Sequence, residues 1–314
     1  MQIFGDINWD FLRFRKMAYI ISGVLVFASL ISLALQSGPR YGIDFTGGRV
    51  LEVSFSKSPE ISKVRTLLEE NTWTGIEVMS IRERPWVMFR VPMELDEQYS
   101  DFSEKILQVM RLHFADEDGY KIEILSNEKV GPKVGEELRK KALWAILFSL
   151  LAMFIYITIR FQFRFGVASV IALFHDAFIT IGIFSILGVE ITLPIVAALL
   201  TIVGYSINDS IVVSDRIREN MTKLRRLSFK EIANKSLNQV FSRTIITSAT
   251  TLFVILCLLF LGGTVIHDFA LAIFIGVIIG TYSSIYIVSP IVVQWEVWFP
   301  KRIGVKAPRT AKAK

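Results

Sequence analysis

The sequence predicts an α-helical membrane protein with six transmembrane helices and one external α+β domain inserted between the first two helices. Of its 314 residues, 52% are hydrophobic, and the mean hydropathy of +0.49 is too high for an ordinary soluble chain. Six apolar runs have the length of about 17–25 residues that crossing a bilayer requires. Between the first two runs, residues 36–141 have the composition of a soluble domain.

The six predicted spans are nearly free of charged residues. They cover residues 17–35, 142–159, 166–187, 192–213, 244–261 and 269–293. The first run, about 19 residues long, exceeds the 7–15 apolar residues of a secretory signal, so we expect it to be retained as a helix. Residues 1–16 are then an N-terminal segment, residues 142–293 hold helices two to six, and residues 294–314 form a basic tail.

The orientation follows from the lysine and arginine residues of the short loops, which mark the cytoplasmic side of a membrane protein. Basic residues precede span one, separate spans two and three, and crowd a loop at about 215–243 between spans four and five. The loops 188–191 and 262–268 contain neither lysine nor arginine. Both termini are therefore predicted to be cytoplasmic, with residues 36–141 on the external side.

Strand and helix patterns alternate in the inserted domain. Period-two patterns predict four strands, and amphipathic patterns predict two helices. The strands are expected at 50–56, 76–82, 86–91 and 120–125, and the helices at 58–71 and 97–114. This βαββαβ order is the ferredoxin-like arrangement. Two roles stay open for such a scaffold: a structural cap that packs on a partner, or a surface that contacts an emerging polypeptide.

Three ionisable residues interrupt the apolar spans: His175 and Asp176 in the third and Asp209 in the fourth. A carboxylate at the bilayer centre costs about 2.5–3.5 kcal/mol on insertion scales and normally faces a bundle interior, a partner charge or a water-filled path. Asp176 lies ten residues into its span, at a depth of about 15 Å. Ser206 and Asn208 accompany Asp209 near the inner end of the fourth span. These residues predict a site for a moving polar species.

The fifth span adds a polar stripe at comparable depth. Arg243, Thr247, Thr250 and Thr251 are spaced i, i+4, i+7 and i+8, so they lie on one helix face. An arginine that moves towards and away from a carboxylate would load and release a proton. We therefore predict a proton relay or ion pair formed by Arg243, Asp209, Asp176 and His175. Two alternatives stay open: Arg243 snorkels to the inner interface, or its pair with Asp209 only joins two helices.

A separate surface helix is predicted before the fifth span. Ser228 and Glu231 have the spacing of a capping box, and the apolar positions of residues 229–241 recur on one helix face. This pattern predicts an amphipathic helix on the inner membrane surface.

The sequence lacks the residues that several functional classes require. The sequence contains no G-x-x-x-x-G-K-[ST] pattern, so we expect no ATPase site and no enzyme activity. Its three histidines and one cysteine lack metal-site spacing, so we expect no metal or cofactor. The net charge of +6 reflects the basic loops and is weak evidence for nucleic acid. The remaining energy sources are a partner or the ion gradient, worth about 2.3 kcal/mol per charge per 100 mV.

The motif after span one names a family. Residues 41–48 read Y-G-I-D-F-T-G-G, which resembles the signature of the SecF family of bacterial protein-export subunits, with Tyr41, Gly42, Asp44, Gly47 and Gly48 at its defining positions. The runs around Asp176, Asp209 and Arg243 resemble later motifs of that family in the same order. Ser210 and Ser214 depart from it, since threonine and an aromatic residue are common there. An alternative for the glycines is a tight turn that joins helix to sheet.

The resemblance implies a multi-pass subunit of the Sec machinery in the bacterial inner membrane. It implies a SecD partner, action at the SecYEG channel, YajC as a further candidate partner, and a secreted polypeptide as substrate. The family is a relative of the resistance-nodulation-division transporters and uses the proton-motive force late in translocation. In that picture Arg243 works opposite a SecD aspartate and Asp209 lies in the same relay. Whether Arg243 pairs with Asp209 or with SecD, and whether sodium replaces protons, stays open.

Two rival functions are weighed against this one. Half of a small-molecule or lipid exporter of the resistance-nodulation-division type would share the helical core, but such exporters usually carry two external domains on twelve spans. An intramembrane aspartyl protease is prompted by Asp176 and Asp209 on adjacent spans. Those enzymes have Tyr-Asp and Gly-x-Gly-Asp contexts, whereas here His175 and Asn208 precede the aspartates.

Overall fold

The structure is a computed structural model, and it describes residues 8–81, 84–99, 101–114 and 121–299. Within these residues, six helices are long and apolar enough to cross a membrane, as predicted. The chain divides into a helical unit, residues 1–35, 147–186 and 198–314, and an α+β unit, residues 36–146 and 187–197. The basic tail from residue 300 lies outside the described residues.

The helices and strands are numbered in chain order. The helices are α1 (Arg15–Leu35), α2 (Ile43–Thr46), α3 (Ile61–Glu70), α4 (Met93–Gln98), α5 (Phe102–Phe114), α6 (Pro132–Arg160), α7 (Phe163–Leu187), α8 (Leu193–Lys223), α9 (Phe229–Leu261), α10 (Gly263–Ser283) and α11 (Ser289–Trp298). A 3₁₀ turn (Phe11–Phe14) precedes α1, and a π-helical turn (Ser284–Val288) joins α10 to α11. The strands are β1 (Gly48–Ser54), β2 (Glu77–Ile81), β3 (Trp86–Val91) and β4 (Glu123–Val130).

The centre of the helical unit is formed by α7, α8 and the last span. Half or more of the most apolar stretch of each is buried, against less than a fifth for α1, α6 and α9. Glycines of α10 allow a close approach to α8, because a Cβ added at Gly276 would overlap Ile202 and one at Gly280 would lie 3.0 Å from the Ser206 Cβ. Small residues at helix contacts are typical of membrane bundles. This contact brings the last span against the polar residues of α8.

The N-terminal segment packs onto α9. Phe11 and Leu12 are buried. The Trp9 amide donates to the Asn238 side chain at 2.8 Å, and the Trp9 carbonyl accepts from Asn234 at 2.9 Å and from Asn238 at 2.8 Å. Residues 1–7 of the predicted segment lie outside the described residues.

The helix predicted before the fifth span is not a separate surface element, and the segment predicted as a loop at about 215–243 is largely helical. α8 continues to Lys223, and α9 is one uninterrupted helix from Phe229 through the fifth span. The capping box at Ser228 and Glu231 is confirmed. The apolar stripe that indicated a surface helix, including Ile232 and Leu237, is instead buried in the core of the helical unit. Hydrophobic periodicity alone does not distinguish a lipid-facing stripe from a protein-facing one.

Two span boundaries also differ from the prediction. α6 begins at Pro132 rather than at residue 142, because its polar first turns are helical and carry exposed ion pairs from Glu136 to Lys140 and from Glu137 to Lys141. The last span continues to Trp298 rather than ending at residue 293. The reason is that the final turn of this span contacts a buried side chain at the start of α7.

That side chain at the start of α7 is Arg164. The Arg164 guanidinium, almost fully buried, forms an ion pair with Glu296 of α11 and lies over the Phe229 ring of α9 at 4.9 Å. An unpaired buried guanidinium is costly, so pairing with Glu296 favours helical structure up to the end of α11.

The α+β unit has the predicted ferredoxin-like order. Its sheet has the order β2-β3-β1-β4, and all neighbouring strands are antiparallel. The helices α3 and α5 supply core residues such as Val64, Leu68, Phe102, Ile106 and Met110, which pack with Leu51, Val53, Val87, Phe89 and Val91 of the sheet.

Boundaries in the α+β unit differ in detail. α3 begins at Ile61 rather than residue 58, because the Glu60 backbone is extended with ψ of 114°. The second predicted helix is divided into α4 and α5, and β4 extends to Val130. Arg82 and Tyr120, at the ends of predicted strands, lie outside the described residues.

Candidate functional site

Asp176 joins three helices at the centre of the helical unit. It lies on α7 and is fully buried. Its Oδ2 accepts a hydrogen bond from Ser206 of α8 at 2.6 Å and another from Ser283 at the end of α10 at 2.7 Å. Hydrogen bonds to a charged acceptor are stronger than neutral ones. The carboxylate is therefore a positioned contact between α7, α8 and α10.

His175 lies beside the second oxygen of the same carboxylate. Its Nδ1 lies 2.9 Å from Asp176 Oδ1. When Nδ1 carries the proton, Asp176 accepts three hydrogen bonds, an arrangement that suits a negatively charged carboxylate because that group only accepts. His175 Nε2 is buried and has no hydrogen-bond partner among the described residues. The structure thus brings together the two ionisable residues predicted in the third span.

Ser283 was not predicted as part of the site. It directly precedes the π-helical turn, in which the backbone is wider than in an α-helix. Such turns inside α-helices are frequent at functional sites. The available signal was a run of hydroxyl residues in an apolar span, with Ser283, Ser284 and Ser289 close to Pro290. Only the packing of α10 against α7 identifies Ser283 as the residue that meets Asp176.

Asp209 forms a second, separate cluster one turn along α8. It is almost fully buried and interacts with the Ser248 side chain of α9. Within the part of the chain that the structure describes, its Oδ2 has no hydrogen-bond partner. Ser248 Oγ lies 2.7 Å from Thr281 Oγ1 of α10. Asp209 therefore retains an open acceptor, whereas both oxygens of Asp176 are engaged. Ser248 and Thr281 are further residues that the sequence analysis missed.

Arg243 lies near Asp209 without contacting it. Its charge interacts favourably with the carboxylate, but the two described side chains form no ion pair within 4.0 Å. Arg243 is exposed and, with Asn208, lines a cavity of about 510 Å³. The cavity is also lined by charged and amide side chains near the ends of α6, α8 and α9: Arg160, Asp215, Arg216, Glu219 and Gln239. The predicted arginine–aspartate pair is thus a long-range attraction in this structure.

The predicted threonine stripe does not reach the aspartates. Thr247 donates to the Arg243 carbonyl, Thr250 to the Ile246 carbonyl and Thr251 to the Thr247 carbonyl, each at 3.0 Å. Hydroxyl residues inside helices commonly bond to the preceding turn in this way. Their place on one face of α9 is as predicted, but their hydroxyl protons are used locally.

The glycine motif after α1 is a tightly packed turn of the α+β unit. Gly47 and Gly48 have φ of +76° and +127°, values that L side chains rarely adopt. A Cβ at Gly48 would lie 2.8 Å from the Val91 carbonyl oxygen, and one at Gly42 would lie 2.8 Å from Thr192 Cγ2. Tyr41 forms an edge-on ring contact with Phe45, at 5.8 Å between ring centroids. The tight turn joining helix to sheet is confirmed, and Gly42 has a further packing role.

Comparison with known proteins identifies the family. Residues 111–298 match the family described as protein export membrane protein SecD/SecF, C-terminal, and residues 33–59 match the SecD/SecF GG motif. The chain belongs to the SecD/SecF family. The resemblance predicted from residues 41–48 is thereby confirmed, and the glycine turn described above is the GG motif of that family.

Three relatives show how much of a family member this chain matches. The protein translocase subunit SecF of Rhodothermus marinus is 41% identical over 300 residues, covering 94% of this chain and 95% of the relative. That of Haemophilus influenzae is 45% identical over 278 residues, covering 88% and 83%. The protein translocase subunit SecDF of Thermus thermophilus is 48% identical over 289 residues, covering 90% of this chain but only 39% of the relative.

Solved structures of the SecD/SecF family share the fold. A crystal structure of SecDF from Thermus thermophilus, described as a translocon-associated membrane protein, has a TM-score of 0.80 and 42% identity. The match covers 93% of this chain and 39% of the SecDF chain. A crystal structure of SecDF in a super-membrane-facing form has a TM-score of 0.66 and 41% identity, covering 95% and 40%. The predicted architecture of six helices and one α+β unit is confirmed.

Proposed function

We propose that the protein is a SecF-type subunit of a bacterial protein translocase. With a SecD partner, it uses the proton-motive force to promote late translocation of secreted polypeptides across the inner membrane. Membership of the SecD/SecF family and relatives named protein translocase subunits support this function. Among the two rivals, drug or lipid export finds no support in these names. The protease is disfavoured because Asp176 is engaged by Ser206, Ser283 and His175.

The observation that carries the mechanism is the difference between the two buried aspartates. Asp176 accepts from Ser206 and Ser283 and has His175 Nδ1 beside its other oxygen. Among the described residues, by contrast, Asp209 Oδ2 has no hydrogen-bond partner, and the nearby Arg243 forms no ion pair with it. A proton that binds Asp209 removes its negative charge and therefore the attraction between α8 and α9. Loss of the proton restores that attraction. Asp209 is the proton-binding residue in this scheme, Arg243 senses its charge, and Asp176 anchors the surrounding helices.

The cavity next to Arg243 supports access of water from one side of the membrane. Its lining includes Arg160, Asp215 and Glu219, which belong to the inner helix ends in the predicted orientation. A polar cavity of this size admits water molecules. We propose that protons exchange between Asp209 and the cytoplasm along this route, past Asn208, and that both termini of the chain are cytoplasmic.

The exposed faces of the helical unit support a partner within the membrane. The chain matches 39% of a relative named SecDF, and we propose that a SecD part of the translocase packs against it. α9 presents the half-buried Thr247 beside the exposed Thr250 and Arg243, and polar groups at membrane depth normally face protein or water. A SecD carboxylate facing Arg243 fits that surface. SecYEG as the channel and YajC as a further partner complete the proposal.

The test is proton-gradient-dependent export with variants of the two clusters. Arg243→Leu and Asp209→Asn, expressed with SecD, should reduce late export to the rate seen with an ionophore. Arg160→Leu removes another arginine from the same cavity, and Asp215→Asn removes an exposed aspartate of α8 that pairs with Arg218 at 3.0 Å. These two matched controls should retain most of the export. Normal export with Arg243→Leu would rule out the proposed coupling.

A further inference from the structure

The segment after α1 and the loop between α7 and α8 are bound to each other by their backbones. Both belong to the α+β unit. The Gly42 amide donates to the Ile191 carbonyl at 2.8 Å, and the Ile191 amide donates to the Arg40 carbonyl at 2.7 Å. These bonds pair Tyr41 with Ile191 as a parallel bridge. The loop therefore has a fixed register against the GG motif.

Asp44 of the GG motif caps the helix that follows the loop. Its Oδ2 accepts a hydrogen bond at 2.8 Å from the amide of Leu193, the first residue of α8. The first amides of a helix have no partner within the helix, and a carboxylate there also interacts favourably with the helix dipole. Asp44 thus supplies from a distant part of the chain what an N-cap residue usually supplies locally.

An ion pair joins the same loop to the sheet. Arg90 of β3 pairs with Glu190 of the loop, and each side chain is only 19% exposed. Burial lowers the pKa of Arg90 against the opposing effect of Glu77, but an arginine keeps its charge at any physiological pH. Arg90 also reaches Glu77 of β2 at 3.3 Å, a carboxylate that is 62% exposed and does not belong to the loop.

The loop is short and lies between the two helices that carry the candidate site. α7 ends at Leu187 and α8 begins at Leu193. Asp176 is on α7, and Ser206 and Asp209 are on α8. A displacement of either helix end therefore pulls on the loop, and through it on the segment that leads from the GG motif directly into β1.

We propose that Asp44, Arg90 and Glu190 form a joint that transmits movement of α7 and α8 to the sheet of the α+β unit. They are positioning residues for the ion-coupled step, and the inference rests on the proposed function. A contact between rigid elements couples two distant sites only if the contact changes when the first site changes. Here the first site is the aspartate cluster on α7 and α8, and the second is the sheet. The joint must therefore alter the response of the sheet to the ion gradient as well as its stability.

The experiment uses the full chain with SecD in proteoliposomes. The first readout is the rate of gradient-dependent export, and the second is the change in hydrogen exchange of residues 41–54 when a proton gradient is imposed. Asp44→Ala and Glu190→Gln should slow gradient-dependent export by about three- to thirtyfold and abolish the exchange response. Asp44→Asn keeps a capping acceptor, and Glu77→Gln removes the other carboxylate on Arg90. Both should stay within about twofold of the parent protein.

The outcomes separate the joint from the proposed function. If Asp44→Ala and Glu190→Gln retain the export rate and the exchange response, the joint is overturned, whatever Arg243→Leu does. If Arg243→Leu loses export while the joint variants keep it, the proposed function stands without the joint. If Asp44→Ala does not fold, the export rate and the exchange response of Glu190→Gln are compared with those of Glu77→Gln. The joint is overturned if the two variants behave alike.

Discussion

Replacing Ser283 with alanine should weaken the packing of the last span far more than the same change at the next residue. Ser283 and Ser284 are adjacent serines, and both are fully buried. Ser283, at the end of α10, donates to Asp176 Oδ2 of α7 at 2.7 Å. Within the described residues, Ser284 donates to the Thr281 carbonyl, in the preceding turn of the same span, at 2.9 Å. The pair is therefore a matched test of the contact with Asp176.

The magnitude follows from what each hydroxyl contacts. A hydrogen bond to a charged group contributes about 1.5–3 kcal/mol in soluble proteins, whereas polar contacts between membrane helices average about 0.6 kcal/mol with a maximum near 1.7. Since Asp176 keeps its donors Ser206 and His175 in the variant, the value for membrane helices applies. We expect Ser283→Ala to lower the free energy of unfolding by about 0.6–1.7 kcal/mol. Ser284→Ala should lower it by less, because its hydroxyl bonds to the preceding turn of the same span.

The assay is reversible unfolding of the purified chain in mixed micelles, with gradient-dependent export measured in parallel. Export with Ser283→Ala should fall below that with Ser284→Ala, because a loosened Asp176 no longer holds α7 against α10. Equal destabilisation by the two variants would refute the reasoning, since it would show that the bond to Asp176 contributes no more than a local backbone bond.

Two predictions concern the α+β unit. Burial raises the pKa of Asp96, but hydrogen bonds and charges from Arg49 and Lys129 outweigh it and hold the pKa below its usual value. The stabilisation from ionised Asp96 is therefore complete above the unfolded pKa of about 4 and is lost as the pH falls through the lower folded pKa. Hydrogen exchange of β1 at pH 7 and pH 3 measures this loss. The variant Asp96→Asn should lack most of this pH dependence. Gly42→Ala places a Cβ 2.8 Å from Thr192 Cγ2 and should cost about 1–3 kcal/mol by overpacking. A second change, Thr192→Ala, should restore thermal stability, and a lack of rescue would place the damage in the backbone turn.

The spans were predictable because bilayer thickness sets a length that any apolar run must meet. The ends of the spans were not. The start of α6 is polar, with Glu136 and Glu137 in its first turns, so a hydropathy scan begins ten residues late. The buried stripe of α9 at Ile232 and Leu237 has the same periodicity as a surface helix. What covers that stripe depends on the other helices of the bundle.

The site was predictable in its residue types but not in its contacts. Asp176 and Asp209 are conspicuous because carboxylates are expensive within a bilayer. Their partners Ser283 and Ser248 are hydroxyl residues like many others in the spans. The conspicuous Thr250 and Thr251, at ideal spacing, instead bond to their own helix.

By itself, the sequence determined the number of spans, the βαββαβ order and the family, because these depend on local composition, periodicity and short motifs. Only the tertiary structure decided that Asp176 is fully engaged while Asp209 keeps an open acceptor. The physical reason is distance along the chain: Asp176 meets hydroxyls 30 and 107 residues away. Such contacts are set by the way whole helices pack, which no local pattern of residues specifies.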